Sequence, residues 1–374
     1  MITVRIGRGQ YILPETHPKE VHIEVTSNCN LDCEFCYRRS WNEVPNDMGL
    51  DLYSKVLDEI EEMGAEFVWL SGWGEPTFHK NFSELIEITS QRFRIGLLTN
   101  GLLLGQYAEE IVSKGVEKVV ISVDSLDPEK YEDIRIGSEL EQLLKAIKQL
   151  REEKRRQRSR YPSIWFLKVL MKSNLEELPQ EVGKASDIGA VGLMLSNLIP
   201  TKEELAGQVL YGRTPDPRTK KVLHIARGKA IVSRIKLVEP EFEYRTDRFC
   251  PFVGRDQLAI TRSGEVSPCL FALHDYFAWI DGRRKKIAQI SFGNLREKNL
   301  REIWWDRRFA EFRARVDLLQ FPSCNDCPYE QFCDMASSNQ SDCWGNSPSC
   351  AACLYYRRIT LCPRIEIMER LLLR

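Results

Sequence analysis

Between residue 21 and about residue 200, short apolar runs alternate with amphipathic segments. Segments 21–25, 67–70, 95–99, 119–123, 165–170 and 191–195 are rich in β-branched and aromatic residues and predict strands. Helical spacing fills the intervals. Leu52, Val56, Leu57 and Ile60 form a stripe at i, i+4, i+5 and i+8 that closes near Gly64. Segment 103–113 repeats the pattern before Gly115, and Leu140, Leu143, Leu144, Ile147 and Leu150 continue it through 139–151. Strands alternating with helices predict an α/β fold with a parallel sheet, right-handed crossovers and a ligand site at the carboxyl ends of the strands.

After residue 200 the pattern changes. Segment 201–217 reads as loop, 218–233 as helix and 235–238 as a strand before Pro240. A hairpin is predicted at 258–260 and Val266, turning at Ser263 and Gly264. From Cys250 onward the elements are short, as in small domains that lean on metal for stability.

Length and charge narrow the function. The chain has 374 residues, enough for two to three domains of about 150 residues each. Lys plus Arg (53) nearly balances Asp plus Glu (54), so no field that would hold nucleic acid non-specifically is expected. Segment 151–160 carries six basic residues, but Glu152, Glu153 and the helical setting favour a solvated helix end over a nucleic-acid patch. No apolar run approaches the roughly 18 residues of a membrane span, and Glu15, Lys19 and Glu20 do not fit a signal peptide. A soluble cytoplasmic protein with no membrane partner is expected.

The twelve cysteines change the picture. Three lie between Cys29 and Cys36, nine between Cys250 and Cys362, and none between the groups. In a long chain of the reducing cytosol this favours metal ligation or redox chemistry over disulfides. Cys29-Asn-Leu-Asp-Cys33-Glu-Phe-Cys36 places three thiolates on a predicted strand-to-helix loop. Thiolates select zinc or iron–sulfur clusters. Structural zinc needs a fourth ligand, and the next histidine is His79. Three ligands to a [4Fe-4S] cluster leave one iron open.

These residues resemble the radical S-adenosylmethionine (SAM) superfamily, whose hallmark is this cysteine spacing after the first barrel strand. The resemblance implies a partial (β/α)6 TIM-like barrel at 18–200, behind an N-terminal arm at 1–17 and followed by a bridging segment at 201–248. It implies that Phe35 lies against the adenine of SAM. Gly72, Trp73, Gly74 and Glu75 stand where the family binds the methionyl amino group, with Trp73 interrupting the usual glycine pair. Asn100 ends the third strand, as the family often does. Ser122 and Asp124 end the fourth, where relatives contact ribose or carboxylate, and Arg135 matches an arginine near the methionyl carboxylate. The implied reaction is reductive cleavage of SAM, fed by a reducing electron donor, to a 5′-deoxyadenosyl radical that abstracts hydrogen.

The later cysteines resemble the SPASM extension, here 249–374, which holds two auxiliary iron–sulfur clusters. By that resemblance Cys324, Cys327, Cys333 and Cys362 bind one cluster, and Cys250, Cys269 and Cys343 the other. Cys350, Cys353 or Asp256 could complete the second set, or one iron could stay open. Zinc ribbons are the other arrangement that four-cysteine sets can form.

Segments 36–43 and 342–353 look most like maturases associated with tungsten-containing aldehyde oxidoreductases. This implies a protein, peptide or pterin-cofactor substrate. A peptide-modifying SPASM enzyme, forming crosslinks or oxidising side chains, is the alternative. An iron–sulfur electron-transfer or scaffold protein is a third, of a different class.

Overall fold

The computed structural model describes residues 2–7 and 9–361, so Cys362 lies outside the described residues. The six predicted strands are present as β3 (Glu20–Ile23), β4 (Phe67–Leu70), β5 (Arg94–Thr99), β6 (Lys118–Ser122), β7 (Ser163–Leu170) and β8 (Gly192–Asn197). They are parallel and neighbour one another in chain order. Before them, β1 (Ile2–Ile6) and β2 (Gly9–Leu13) form an antiparallel hairpin.

The sheet is wider than the sequence predicts. β9 (Lys236–Val238) adds parallel to β8, and β10 (Gln257–Ile260) adds parallel to β3. The predicted hairpin is β10 with β11 (Val266–Ser267), which forms the antiparallel edge. The order is β11-β10-β3-β4-β5-β6-β7-β8-β9, and among the described residues the two edges do not pair. A partial barrel results, with one side built by the cysteine-rich region. A separate hairpin, β12 (Tyr276–Ile280) with β13 (Arg283–Ile287), was not foreseen.

Helices α1 (Leu50–Glu62), α2 (Phe82–Ser90), α3 (Ala108–Ser113), α4 (Pro128–Ile134), α5 (Leu140–Arg156) and α6 (Leu178–Ile188) fill the intervals between β3 and β8. Then come α7 (Glu203–Ala206), α8 (Arg218–Ser233), α9 (Leu300–Trp304) and α10 (Arg307–Asp317). Segment 102–107 forms turns instead of the first part of a helix; Gly105, a poor helix former, lies there.

Strand alternation divides the core. Phe67, Trp69, Val120, Trp165 and Met194 form one cluster with Leu361, while Val68, Leu70, Val119, Ile121, Ile164 and Phe166 join the larger core with the helices. The N-terminal segment is no free arm, because Val4 and Ile6 pack on Ala310 and Ala314 of α10. At the basic end of α5, Arg156 pairs with Glu153 and Arg151 donates to the carbonyls of Asp187 and Ile188. Among the described residues no helix is long and apolar enough to cross a membrane.

Candidate active site and auxiliary cysteine sites

The first cysteine loop leaves the carboxyl end of β3 and is stitched at several points. Asp32 N donates to Ile136 O (3.0 Å) and Glu34 N to Ile134 O (2.9 Å), tying the loop to the end of α4 and the segment after it. Arg39 grips it from outside, with Nε on Cys33 O (2.9 Å) and Nη2 on Asp32 O (2.7 Å). Upstream, Asp47 accepts from Thr26 Oγ1 (2.6 Å) and Asn28 Nδ2 (2.9 Å).

The three thiols are brought together. Burial pushes Cys29 up to about 12, with the Glu75 carboxylate acting the same way and Cys33 adding to it. Cys36 is raised by burial and then by Cys33. Arg135 Nη1 lies 3.5 Å from Cys33 Sγ, and Asn100 Nδ2 lies 4.0 Å from Cys29 Sγ. Soft sulfur donors with a cation and an amide turned toward them fit an anionic iron–sulfur cluster. Among the described residues no three Cys, His, Asp or Glu side chains close on a single-ion position. A cubane does not require that, because each thiolate binds its own iron.

A cavity opens beside this loop at the strand ends. Phe35, Gly72, Trp73, Ser122 and Arg135 line it, together with Leu98, Leu167 and Asn197 from β5, β7 and β8. Leu270, Tyr355, Thr360 and Leu361 line it from the C-terminal region. Phe35 carries the Arg135 guanidinium 5.4 Å from its ring centre.

Four of the expected SAM contacts lie behind this wall. Glu75 accepts from Thr77 N (3.1 Å), Thr77 Oγ1 (2.6 Å), Thr99 Oγ1 (2.6 Å) and Asn100 N (2.6 Å), so its carboxylate joins the loop after β4 to the end of β5. Burial nevertheless raises its pKa against those donors. Asn100 holds Asn30 Oδ1 at 2.8 Å. Asp124 is fully buried, accepting from Arg135 Nε (2.5 Å) and Val169 N (2.7 Å). A Cβ on Gly74 would stand 2.2 Å from Thr26 O and 2.6 Å from Asn28 O, so this glycine admits the backbone ahead of Cys29. These four position the site and do not line the cavity.

Sequence reasoning did not find Glu24 and His274. Glu24 Oε1 accepts from Trp73 N (3.0 Å) and its Oε2 lies 2.8 Å from His274 Nε2. His274 stacks on Trp41 at 4.4 Å between ring centres. Both residues are buried, so this pair fixes the backbone of Trp73 from behind. An acid at the end of the first strand was the available signal.

A second cavity is lined by Cys250, Cys269, Cys324, Cys350 and Cys353. Tyr355 lines both cavities. Within it Cys250, Cys269, Cys350 and Cys353 are close neighbours. Cys269 is raised by burial and then by Cys353 and Cys250, and Cys350 by burial and then by Cys353, Cys250 and Cys269. Cys324 is raised by burial, with Lys285 opposing and Cys343 and Cys333 adding to it. Asp256 is not with either group: its charge bears on Arg313 and Asp317, and it does not line the cavity.

Comparison with known proteins follows the same division. Residues 23–180 match the Radical SAM superfamily, and residues 250–328 match the SPASM iron–sulfur cluster-binding domain. The chain is 36% identical over 351 residues to the tungsten-containing aldehyde ferredoxin oxidoreductase cofactor-modifying protein of Pyrococcus furiosus, covering 92% of this chain and 97% of that one. This chain belongs to the radical SAM superfamily. A probable GTP 3′,8-cyclase of Methanococcus maripaludis is 30% identical over 268 residues, covering 67% of this chain and 85% of its own. Among solved structures, Streptococcus suis SuiB bound to S-adenosylmethionine shares the fold at a TM-score of 0.60 and 16% identity, over 86% of this chain and 73% of that one. The radical SAM domain carries a [4Fe-4S] cluster and SAM, and the SPASM domain carries further iron–sulfur clusters.

Proposed function

We propose that this radical SAM enzyme is a maturase that modifies a tungsten-dependent oxidoreductase through its pterin cofactor or an associated peptide. The observation that carries the reading is the end-to-end likeness, over 92% of the chain, to a cofactor-modifying protein of such an oxidoreductase.

Cys29, Cys33 and Cys36 would hold the [4Fe-4S] cluster of the radical SAM domain. When bound, the reduced cluster and SAM supply a 5′-deoxyadenosyl radical able to take hydrogen from an unactivated C–H bond. The chain's part is orientation and exclusion of water. Arg135 offers a guanidinium to the methionyl carboxylate, Phe35 a ring face to the adenine, and Ser122 a hydroxyl at the β6 end. Gly72 and Trp73 present backbone on the opposite wall, which Glu24 holds in place. Leu270, Tyr355 and Leu361 cover the cavity from the C-terminal side, keeping a reactive centre away from bulk water.

The test is anaerobic incubation of reconstituted, reduced protein and SAM with the apo-oxidoreductase, its isolated pterin cofactor, or peptides from its sequence. 5′-Deoxyadenosine formed in proportion to a mass change on one of these is the expected result. Turnover that none of them stimulates would reject the substrate class. Failure to cleave SAM at all would leave an electron-transfer or scaffold protein.

A further inference from the structure

We propose that Asn197 and Thr360 form a substrate subsite, built to receive the N–H edge of a flat heterocycle, the pterin head group. This rests on the maturase reading and selects, among its substrates, the cofactor over the peptide.

Two buried acceptors in the cavity at the strand ends lack a protein partner. Asn197 and Thr360 both line it, at 2% and 4% exposure. Among the described residues, Asn197 Oδ1 and Thr360 Oγ1 have no hydrogen-bond partner. An unpaired buried polar atom costs stability, so its place in a cavity wall points to a ligand that completes it.

Both groups are held in position. Asn197 Nδ2 donates to Glu241 O and Ile359 O, each at 2.9 Å, which fixes the amide and leaves its oxygen to the cavity. Ser196 Oγ accepts from Leu361 N (3.1 Å) and donates to Leu361 O (3.2 Å). Segment 359–361 is thus pinned to the end of β8 on either side of Thr360. An amide oxygen beside a hydroxyl accepts one N–H and makes a second hydrogen bond in either sense.

The facing wall is aromatic. Trp73 follows β4 and Asn197 ends β8, with β5, β6 and β7 between them in the curved sheet. Tyr37 and Trp73 line the cavity with ring centres 5.3 Å apart. Trp73 Nε1 donates to Leu270 O at 3.3 Å, and Tyr276 and Trp41 pack on its ring at 5.0 and 5.5 Å. A fixed aromatic wall across from an acceptor edge suits a planar ring with N–H groups on its rim. A peptide N–H meets the same acceptors but gives the aromatic wall no planar partner. Phe35, Cys36 and Arg135 line the remaining side, which leaves SAM its own contacts.

Calorimetric titration of the reconstituted full-length protein, with SAM bound, tests this with two probes. Pterin should bind, and lumazine, whose oxo group replaces the pterin amine, should bind about tenfold more weakly or worse. Thr360→Val and Asn197→Ala should each weaken pterin about fivefold or more while SAM affinity, measured alone, stays unchanged. Thr360→Val should also melt at the same temperature as the unaltered protein or higher, because it deletes only an unpaired hydroxyl. That variant carries the test should Asn197→Ala loosen segment 359–361. Unchanged pterin affinity in Thr360→Val, equal binding of lumazine, or a loss of SAM affinity in place of pterin affinity would overturn the subsite. So would the absence of pterin binding to the unaltered protein. If the apo-oxidoreductase or its peptides still drive 5′-deoxyadenosine formation, the maturase reading survives that failure; if none does, it falls as well.

Discussion

Arg135 and Asp124 form a buried ion pair, Nε to Oδ2 at 2.5 Å, and the same guanidinium reaches 3.5 Å from the sulfur of Cys33. Burial opposes the charge on Arg135, but Asp124 and then Cys33 keep its pKa raised. Asp124 is held in turn by Val169 N at 2.7 Å, and Lys168 donates to its carbonyl oxygen. A cation thus stands ready between the cysteine loop and the cavity.

Removing that cation should have two separable effects. Arg135→Met should weaken SAM binding about tenfold or more, the equivalent of one charge-assisted hydrogen bond. It should also destabilise the fold by about 3–5 kcal/mol, because Asp124 is left charged and buried. The double variant Arg135→Met/Asp124→Asn should regain much of the stability but none of the affinity. Calorimetric titration and thermal unfolding separate the two, and affinity returning with stability would refute the assigned contact.

Glycine substitutions should divide sharply by location. Gly74→Ala pushes a methyl into the backbone at Thr26, Ser27 and Asn28, so it should cost about 1–3 kcal/mol and lower iron occupancy at Cys29, Cys33 and Cys36. Gly228 lies within α8 with nothing within 4 Å of an added Cβ. Gly228→Ala should therefore stabilise by about 0.5–1 kcal/mol and leave iron unchanged. Thermal unfolding with iron analysis reads both.

Replacing Cys29, Cys33 and Cys36 together with Ala should abolish reductive cleavage of SAM while about 8 irons remain in the C-terminal domain. Chromatography for 5′-deoxyadenosine and a Mössbauer spectrum of the same sample check the two halves of this expectation. Retained cleavage would move the radical chemistry elsewhere in the chain.

The loop before Cys29 should respond to acid through Asp47. Burial works to raise this carboxyl, but the bonds from Thr26 and Asn28 hold it below the ordinary value of 3.8. Above that value the folded and unfolded chains are both ionised, and the stabilisation is complete. As pH falls below it, the unfolded chain takes up a proton that the folded one resists, and stability drops. Hydrogen exchange across 26–33 should accelerate in this range, and Asp47→Asn should flatten the dependence. An unchanged acid profile in that variant would count against the role.

Strands β3 to β8 were legible as short runs rich in β-branched and aromatic residues, α1 and α5 as apolar stripes at helical spacing, and the β10–β11 hairpin through its turn at Ser263 and Gly264. β13 was hidden because Arg283-Arg-Lys-Lys286 reads as a solvated run. In the fold Lys285 is buried against Glu330 at 2.5 Å, and Arg284 lies over Phe277. The cavity-lining Phe35, Gly72, Trp73, Ser122 and Arg135 were found through motifs placed at strand ends. Glu75 and Asp124 carry motif signals of equal strength yet face inward, since a spacing does not say which way a carboxylate turns. The turn at 342–349 was illegible for a related reason: Asp342 accepts from Asn346 and Ser349 and folds the segment back on itself, which no cysteine spacing reveals.

The strand that leads into Cys29 is sealed on one flank by β10, where Gln257 pairs with Glu20 across 237 residues. During synthesis β4 can dock on its other flank early, but the ladder on this one stays bare until residue 260 has left the ribosome. A nascent chain of the barrel segment alone carries an open parallel edge beside its first cysteine loop, a template for mispairing with other chains. The order of translation therefore makes the strand nearest the radical chemistry wait for the domain that houses the other clusters.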